Sequence, residues 1–222
     1  GTPADSPFAG QLERVAKHLS HECEAVDYRA AGEAIGRMAV ELKRRQESDD
    51  TSAEPVFLCI FGLQRYRVLR KSDDGFSFGG DDKPPSPDKQ FAEILKEGPS
   101  LGIHVIAWVD TAVSVDRTID RNAMREFDYR VLLQMSATDS STLIDSPAAN
   151  KLGFFRAIAF SEEQGTMEKF RPYGLPTADW LASKTSNSTT ALPVCPKRST
   201  PAWLRSACRR RIWLAPVARW RS

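Results

Sequence analysis

Three groups of polar residues stand where a fold can turn them to chemical use. Gly62-Leu63-Gln64-Arg65 follows the apolar run Val56–Phe61, with Arg67 close behind. Arg forks suit phosphate, so Gln64, Arg65 and Arg67 read as contacts to phosphate or to a neighbouring subunit. They read equally as a solvated amphipathic turn with Tyr66 and Leu69 packed inward. Asp110-Thr111 follows a second apolar run, Ile103–Val109. Asp110 is either a Mg²⁺ or water contact or a loop residue capping the next segment. Asp139-Ser140-Ser141-Thr142 opens a later segment. Asp139, Ser140 and Thr142 suit a helix N-terminus that offers N–H groups to an anion, or an ordinary N-cap. No Ser/His/Asp arrangement and no paired carboxylates at strand ends occur, so other hydrolase chemistry has no support.

The two apolar runs must position these groups. Each is short, unbroken and rich in β-branched or aromatic residues, as in a strand buried on both faces. His104 inside the second run is expected to be a hydrogen-bonded core histidine. Helical patterns flank both runs, which predicts an α/β fold with a mostly parallel sheet and helices on both faces. Ligands then bind beyond the carboxyl ends of the strands, where Gln64, Arg65, Asp110 and Thr111 lie.

Apolar spacing predicts helices at 9–20, 29–47, 89–97 and 118–127. A short strand near 24–27 and a third strand over 130–135 are expected. A short helix follows around 143–145, then a hairpin pairing 154–160 with 166–171, then a last helix over 176–183. Residues 71–88, rich in Gly, Asp, Ser and Pro, form a long loop. Asp116, Arg117, Asp120 and Arg121 read as a solvated face with neighbouring ion pairs.

The chain of 222 residues is long enough for one domain and a tail. No apolar run approaches the ~20 residues of a membrane span. Gly1-Thr2-Pro3-Ala4-Asp5 has no secretory pattern and no initiator Met, so a chain cut from something longer is expected. Cys23, Cys59, Cys195 and Cys208 form no CxxC pair, and His18, His21 and His104 do not cluster with them. A reduced, cytoplasmic compartment without a metal site follows as the expectation.

The net charge of +2 conceals a division. Residues 184–222 carry nine Lys or Arg and no Asp or Glu, so the other 183 residues sum to −7. The segment 183–222 holds three Trp and seven Arg without periodicity. Arg209, Arg210, Arg211 and Trp213 suit a nucleic-acid-binding arm, neutralising phosphates and stacking on bases. The alternative is a segment unrelated to the fold, as a change of reading frame would produce.

The stretch Leu95-Lys96-Glu97-Gly98-Pro99-Ser100-Leu101-Gly102-Ile103-His104-Val105-Ile106-Ala107-Trp108 resembles the helix-Gly-Ile-His-strand block of FtsK/SpoIIIE-type DNA-pumping ATPases. Ala137-Thr138-Asp139-Ser140-Ser141-Thr142-Leu143-Ile144-Asp145 resembles their Asp-Ser-Arg-Thr-Ile-Leu-Asp segment, and Leu152-Gly153 precedes the hairpin where theirs does. The resemblance covers about residues 29–182. It divides the chain into 1–28, the α/β domain 29–182 and the tail 183–222. It implies a three-layer P-loop (RecA/AAA+) fold, ATP and Mg²⁺ as cofactors, a homo- or hetero-oligomer of P-loop modules, and duplex DNA or a protein as cargo.

The departures bear directly on function. No GxxxxGK[ST] occurs, and the family places that loop ahead of the aligned region. By the resemblance, Val56–Phe61 occupies the Walker B strand and Ile103–Val109 the sensor strand. Gly62 and Leu63 stand where the Asp-Glu pair should hold Mg²⁺ and polarise water. Gln64 can only orient a water. Ser141 replaces the family's Arg, and Asp110 its Gln. The expected function is a partial, degenerate ATPase module of a translocation machine, or a non-hydrolysing structural or regulatory module beside a competent ATPase. Nucleic-acid binding by the tail is a further alternative.

Overall fold

The computed structural model describes residues 9–19, 22–48, 53–72, 85–174 and 176–185, and the backbone of 213–216. Their architecture is mixed α/β. A short helix α1 (Gln11–Ala16) leads into an irregular segment at 22–27. The strand expected near 24–27 does not form, because its side chains serve the next helix instead. Glu24 bridges to Arg37 at 2.6 Å, and Asp27 accepts from the Arg29 backbone N–H at 2.9 Å. That cap starts a 3₁₀ turn (Tyr28–Ala30) which continues as α2 (Ala31–Ser48).

α2 ends on a buried cation. Arg45 donates from Nε to Glu41 Oε1 at 2.7 Å and from Nη2 to the Glu54 carbonyl at 3.0 Å. β1 (Val56–Phe61) runs parallel to β2 (Ile103–Val109), in register from Val56 opposite Ile103 to Phe61 opposite Trp108. Between them lies α3 (Pro87–Glu97), then a 3₁₀ turn (Gly98–Leu101) and the left-handed Gly102. Helix α3 starts earlier than 89 because Pro87 suits the first helical turn.

Alternation along β1 and β2 sorts their side chains to two faces. Ile60, Ile103, Val105, Ala107 and Val109 join one core with Ile35 and Leu42 of α2 and with Phe91, Ile94 and Leu95 of α3. Among the described residues the opposite face is only partly covered, against the expectation of burial on both sides. Phe57 is 56% exposed, Ile106 is 37% exposed, and Cys59 is exposed too. β1 is also the edge of the sheet. Phe61 stacks on Trp108 with centroids 4.2 Å apart, and Phe57 lies 5.2 Å from the His104 ring. His104 is buried as expected, but its Nδ1 has no hydrogen-bond partner among the described residues, and burial lowers its pKa.

The helix expected over 118–127 is instead two helices, α4 (Ala112–Thr118) and α5 (Arg121–Arg125). Ile119 is extended, and Asp120 restarts the helix by accepting from Ala123 N–H at 2.7 Å. Asp116, Arg117, Asp120 and Arg121 are all exposed, as expected of a solvated face, and Asp120 also serves as the cap. β3 (Tyr129–Leu132) is shorter than the expected 130–135. α6 (Ala137–Ile144) begins well before 143, because Ser136 caps it. A 3₁₀ turn (Pro147–Lys151) follows. β4 (Ala157–Ser161) and β5 (Thr166–Phe170) form the expected hairpin, and β3 pairs antiparallel with β4. α7 (Ala178–Thr185) comes next.

The parallel pair β1–β2 and the antiparallel set β3–β4–β5 meet through β6 (Trp213–Pro216), whose backbone pairs parallel with both β2 and β3. Trp213 therefore sits in the sheet ladder, where the sequence suggested a segment without strand character. Arg209, Arg210 and Arg211 lie outside the described residues, as does most of the 71–88 loop. Among the described residues no helix is long and apolar enough to cross a membrane.

Candidate functional site

The carboxyl ends of β1 and β2 lie side by side. The Gly62 N–H donates to the Trp108 carbonyl at 3.0 Å, extending the pairing one residue past β1. Gly62 then takes a left-handed conformation, φ 77°, which a side chain resists. This turn starts a 3₁₀ segment (Leu63–Arg65), so Leu63 dives into the core with no exposed surface while Gln64 and Arg65 stay at the rim. The Arg70 Nη2 holds the turn by donating to the Gln64 carbonyl at 3.2 Å.

Gln64 is half-buried, and its Oε1 is a buried acceptor with no partner among the described residues. An acceptor in that state suits one ordered water or a ligand donor. Asp110 emerges from β2 at the same end, exposed. Thr111 accepts from Ser114 N–H at 3.1 Å and so caps α4, donating its own proton to Asp110 Oδ1 at 3.2 Å or Ser114 Oγ at 2.8 Å. Its hydroxyl is thus engaged in local structure.

The α6 start is similarly occupied. Ser136 Oγ accepts from Asp139 N–H at 3.0 Å and donates to Asp139 Oδ2 at 2.8 Å. Ser140 is fully buried; its hydroxyl donates to the Ser146 carbonyl and accepts from Ala149 N–H, closing the following turn. Thr142 donates to the Thr138 carbonyl at 3.0 Å. Asp139, Ser140 and Thr142 are therefore engaged in hydrogen bonds within α6 and the turn after it.

Arg65 links the rim to a second feature. A cleft of about 720 Å³ opens between the 3₁₀ turn Arg67–Leu69 with its approach and the start of α2. Arg65, Tyr66 and Arg67 line one side; Tyr28, Arg29 and Glu33 line the other. Sequence reasoning pointed to Arg65 and Arg67 but missed Tyr28 and Arg29 of the 3₁₀ turn and Glu33 of α2. No local signal marks them, because only tertiary packing brings position 29 beside position 65.

Chemically, the rim offers an amide that can orient a water and one exposed carboxylate. Mg²⁺ and a nucleotide triphosphate require more. Leu63, the side chain nearest the end of β1, has no exposed surface, and no group of three His, Cys, Asp or Glu side chains fit to hold a metal is present among the described residues. The residues present do not fit a Mg²⁺ site of that kind. No protein-family model, curated protein or solved structure matches this chain.

Proposed function

We propose that this chain is the Walker B-to-hairpin part of an FtsK/SpoIIIE-like P-loop module that does not hydrolyse ATP with its own residues. In this reading it is a structural or regulatory subunit assembling beside a competent ATPase. The three-layer fold of that family is part of the same proposal. One observation supports it: β1 and β2 are parallel neighbours, and the turn after β1 buries Leu63, the residue that by the resemblance takes the place of an exposed carboxylate. An aliphatic side chain neither binds Mg²⁺ nor polarises water. The partly covered face of Phe57, Cys59 and Ile106 also suits a chain that covers its sheet through assembly.

The test is ATP turnover by the purified chain, with and without duplex DNA, alongside its mass in solution. The reading expects no turnover above the protein-free control under either condition, and a mass above that of one chain. Turnover proportional to protein concentration would overturn it, as would a strictly monomeric species at tens of micromolar.

A further inference from the structure

We propose that the cleft between α2 and the turn after β1 binds a phosphate group carried beside an aromatic base, on a free nucleotide or on a nucleic-acid strand. This cleft shares Arg65 with the β1–β2 rim but is otherwise lined by other residues, and the proposal does not rest on the ATPase reading. Its volume of about 720 Å³ falls in the range of small-molecule sites, ~300–1,000 Å³.

The charge is the main argument. Outside the basic tail the chain sums to −7, yet Arg29, Arg65 and Arg67 converge here against one lining carboxylate, Glu33. Asp27 lies nearby as a second carboxylate: it caps the Arg29 backbone N–H at 2.9 Å and its charge also acts on the Arg29 side chain, leaving three guanidinium groups against two carboxylates. Four arginines elsewhere are consumed in ion pairs, Arg37 with Glu24, Arg44 and Arg45 with Glu41, and Arg130 with Glu162, and the cleft brings three together. Arg29 and Arg67 form no ion pair among the described residues, and Arg67 is exposed. Arg29 donates from Nε to the Tyr28 hydroxyl at 3.0 Å, with its guanidinium 5.5 Å from that ring. Its Nη groups remain available for a fork to phosphate oxygens.

The aromatic groups supply the second half. Tyr28 is 45% exposed and offers a ring face to a flat base. Tyr66 is half-buried, and burial raises its phenol pKa, so it stays a neutral hydrogen-bond donor. Gly32, with no side chain, leaves the start of α2 low against Val68 across the cleft.

The experiment is titration of the full chain, at low salt, with inorganic pyrophosphate, ATP and a fluorescein-labelled thymidine 12-mer. The expected result is saturable binding of ATP or the 12-mer, tighter than pyrophosphate. Arg29→Ala and Arg67→Ala should each weaken it about tenfold, Arg67→Lys should recover part of the loss, and Arg125→Ala should change nothing. Binding of ATP that the 12-mer cannot displace assigns the free nucleotide; binding of the 12-mer alone assigns the strand. Circular dichroism of each variant establishes that the fold is kept. No binding of any probe overturns the proposal, as does binding unchanged in both alanine variants. Equal affinity for pyrophosphate and ATP would overturn the base contact.

Discussion

Arg45 Nη1 donates to the Leu101 carbonyl at 2.7 Å, a contact that spans 56 residues of sequence. With the bonds to Glu41 and the Glu54 carbonyl, one guanidinium fixes the end of α2 to the approaches of both β1 and β2. Arg45→Met leaves two carbonyls without their donor and should cost about 2–4 kcal/mol in urea unfolding. Arg45→Lys, lacking the fork, should recover less than half of that. A loss below about 0.5 kcal/mol in the Met variant would show that the guanidinium carries no structural weight.

Glu41 gives the same contact a pH dependence. Hydrogen bonds from Arg44 and Arg45 hold its carboxyl at about 2, against an ordinary value of 4.5. A carboxyl depressed on folding stabilises the protein above its unfolded pKa, and that contribution fades as pH falls from 4.5 toward 2. Its side chain keeps 30% exposure, so solvent screening reduces the effect to about 1 kcal/mol. Glu41→Gln should flatten the acid limb of a stability-against-pH curve relative to wild type. Parallel acid limbs would refute the assignment.

A second buried cation organises the other half of the sheet. Arg130 in β3 donates from Nη1 to the Leu143 carbonyl at 3.0 Å and from Nη2 to the Met124 carbonyl at 2.9 Å, and pairs with Glu162. It thereby joins the ends of α5 and α6 to the β4–β5 turn. Arg130→Met should destabilise by about 2–3 kcal/mol, chiefly through the orphaned carbonyls, since Glu162 is 45% exposed and rehydrates. Glu162→Gln should cost markedly less, and thermal melts of the two variants provide the comparison.

Two glycines should respond with opposite signs. A Cβ on Gly98 would lie 2.8 Å from the Ile103 carbonyl oxygen, a backbone atom that cannot step aside. Gly98→Ala should lower stability by about 1–3 kcal/mol. Gly36, inside α2, has only Gln90 Oε1 near, at 3.8 Å. Gly36→Ala should raise stability by about 0.5–1 kcal/mol. Denaturant midpoints moving the same way would contradict the packing described.

Placing an acid after β1 should fail. Leu63 has no exposed surface, so Leu63→Glu forces a carboxylate into the core and should cost several kcal/mol, on the order of 3–5, rather than create turnover. Limited proteolysis and ATP hydrolysis measured together read both effects. A stable, ATP-hydrolysing Leu63→Glu variant would mean that the turn opens easily.

The sequence made the strand pair and the hairpin legible because both rest on local patterns: unbroken apolar runs, and alternation around a polar turn. The runs' double-sided apolarity pointed to burial that the described residues supply in full on one face only. The helix after β3 was legible but its start was set too late, because Asp139, Ser140 and Thr142 suit the cap as well as the first turns, whereas Ser136 is the residue that caps it. α4 was hidden by the β-branched Val113 and Val115, which disfavour helix until packing decides. Of the site, the strand ends and Arg65 could be read directly. Tyr28, Arg29 and Glu33 could not, since their role depends on a tertiary approach without sequence periodicity.

Trp213–Pro216 contributes the rung between β2 and β3, yet it follows every other described element in the chain. Synthesis therefore delivers the centre of the sheet after both flanks have emerged from the ribosome. Until then β2 and β3 present ladders of unsatisfied amides and carbonyls toward one another, and the nascent protein must keep them from foreign strands.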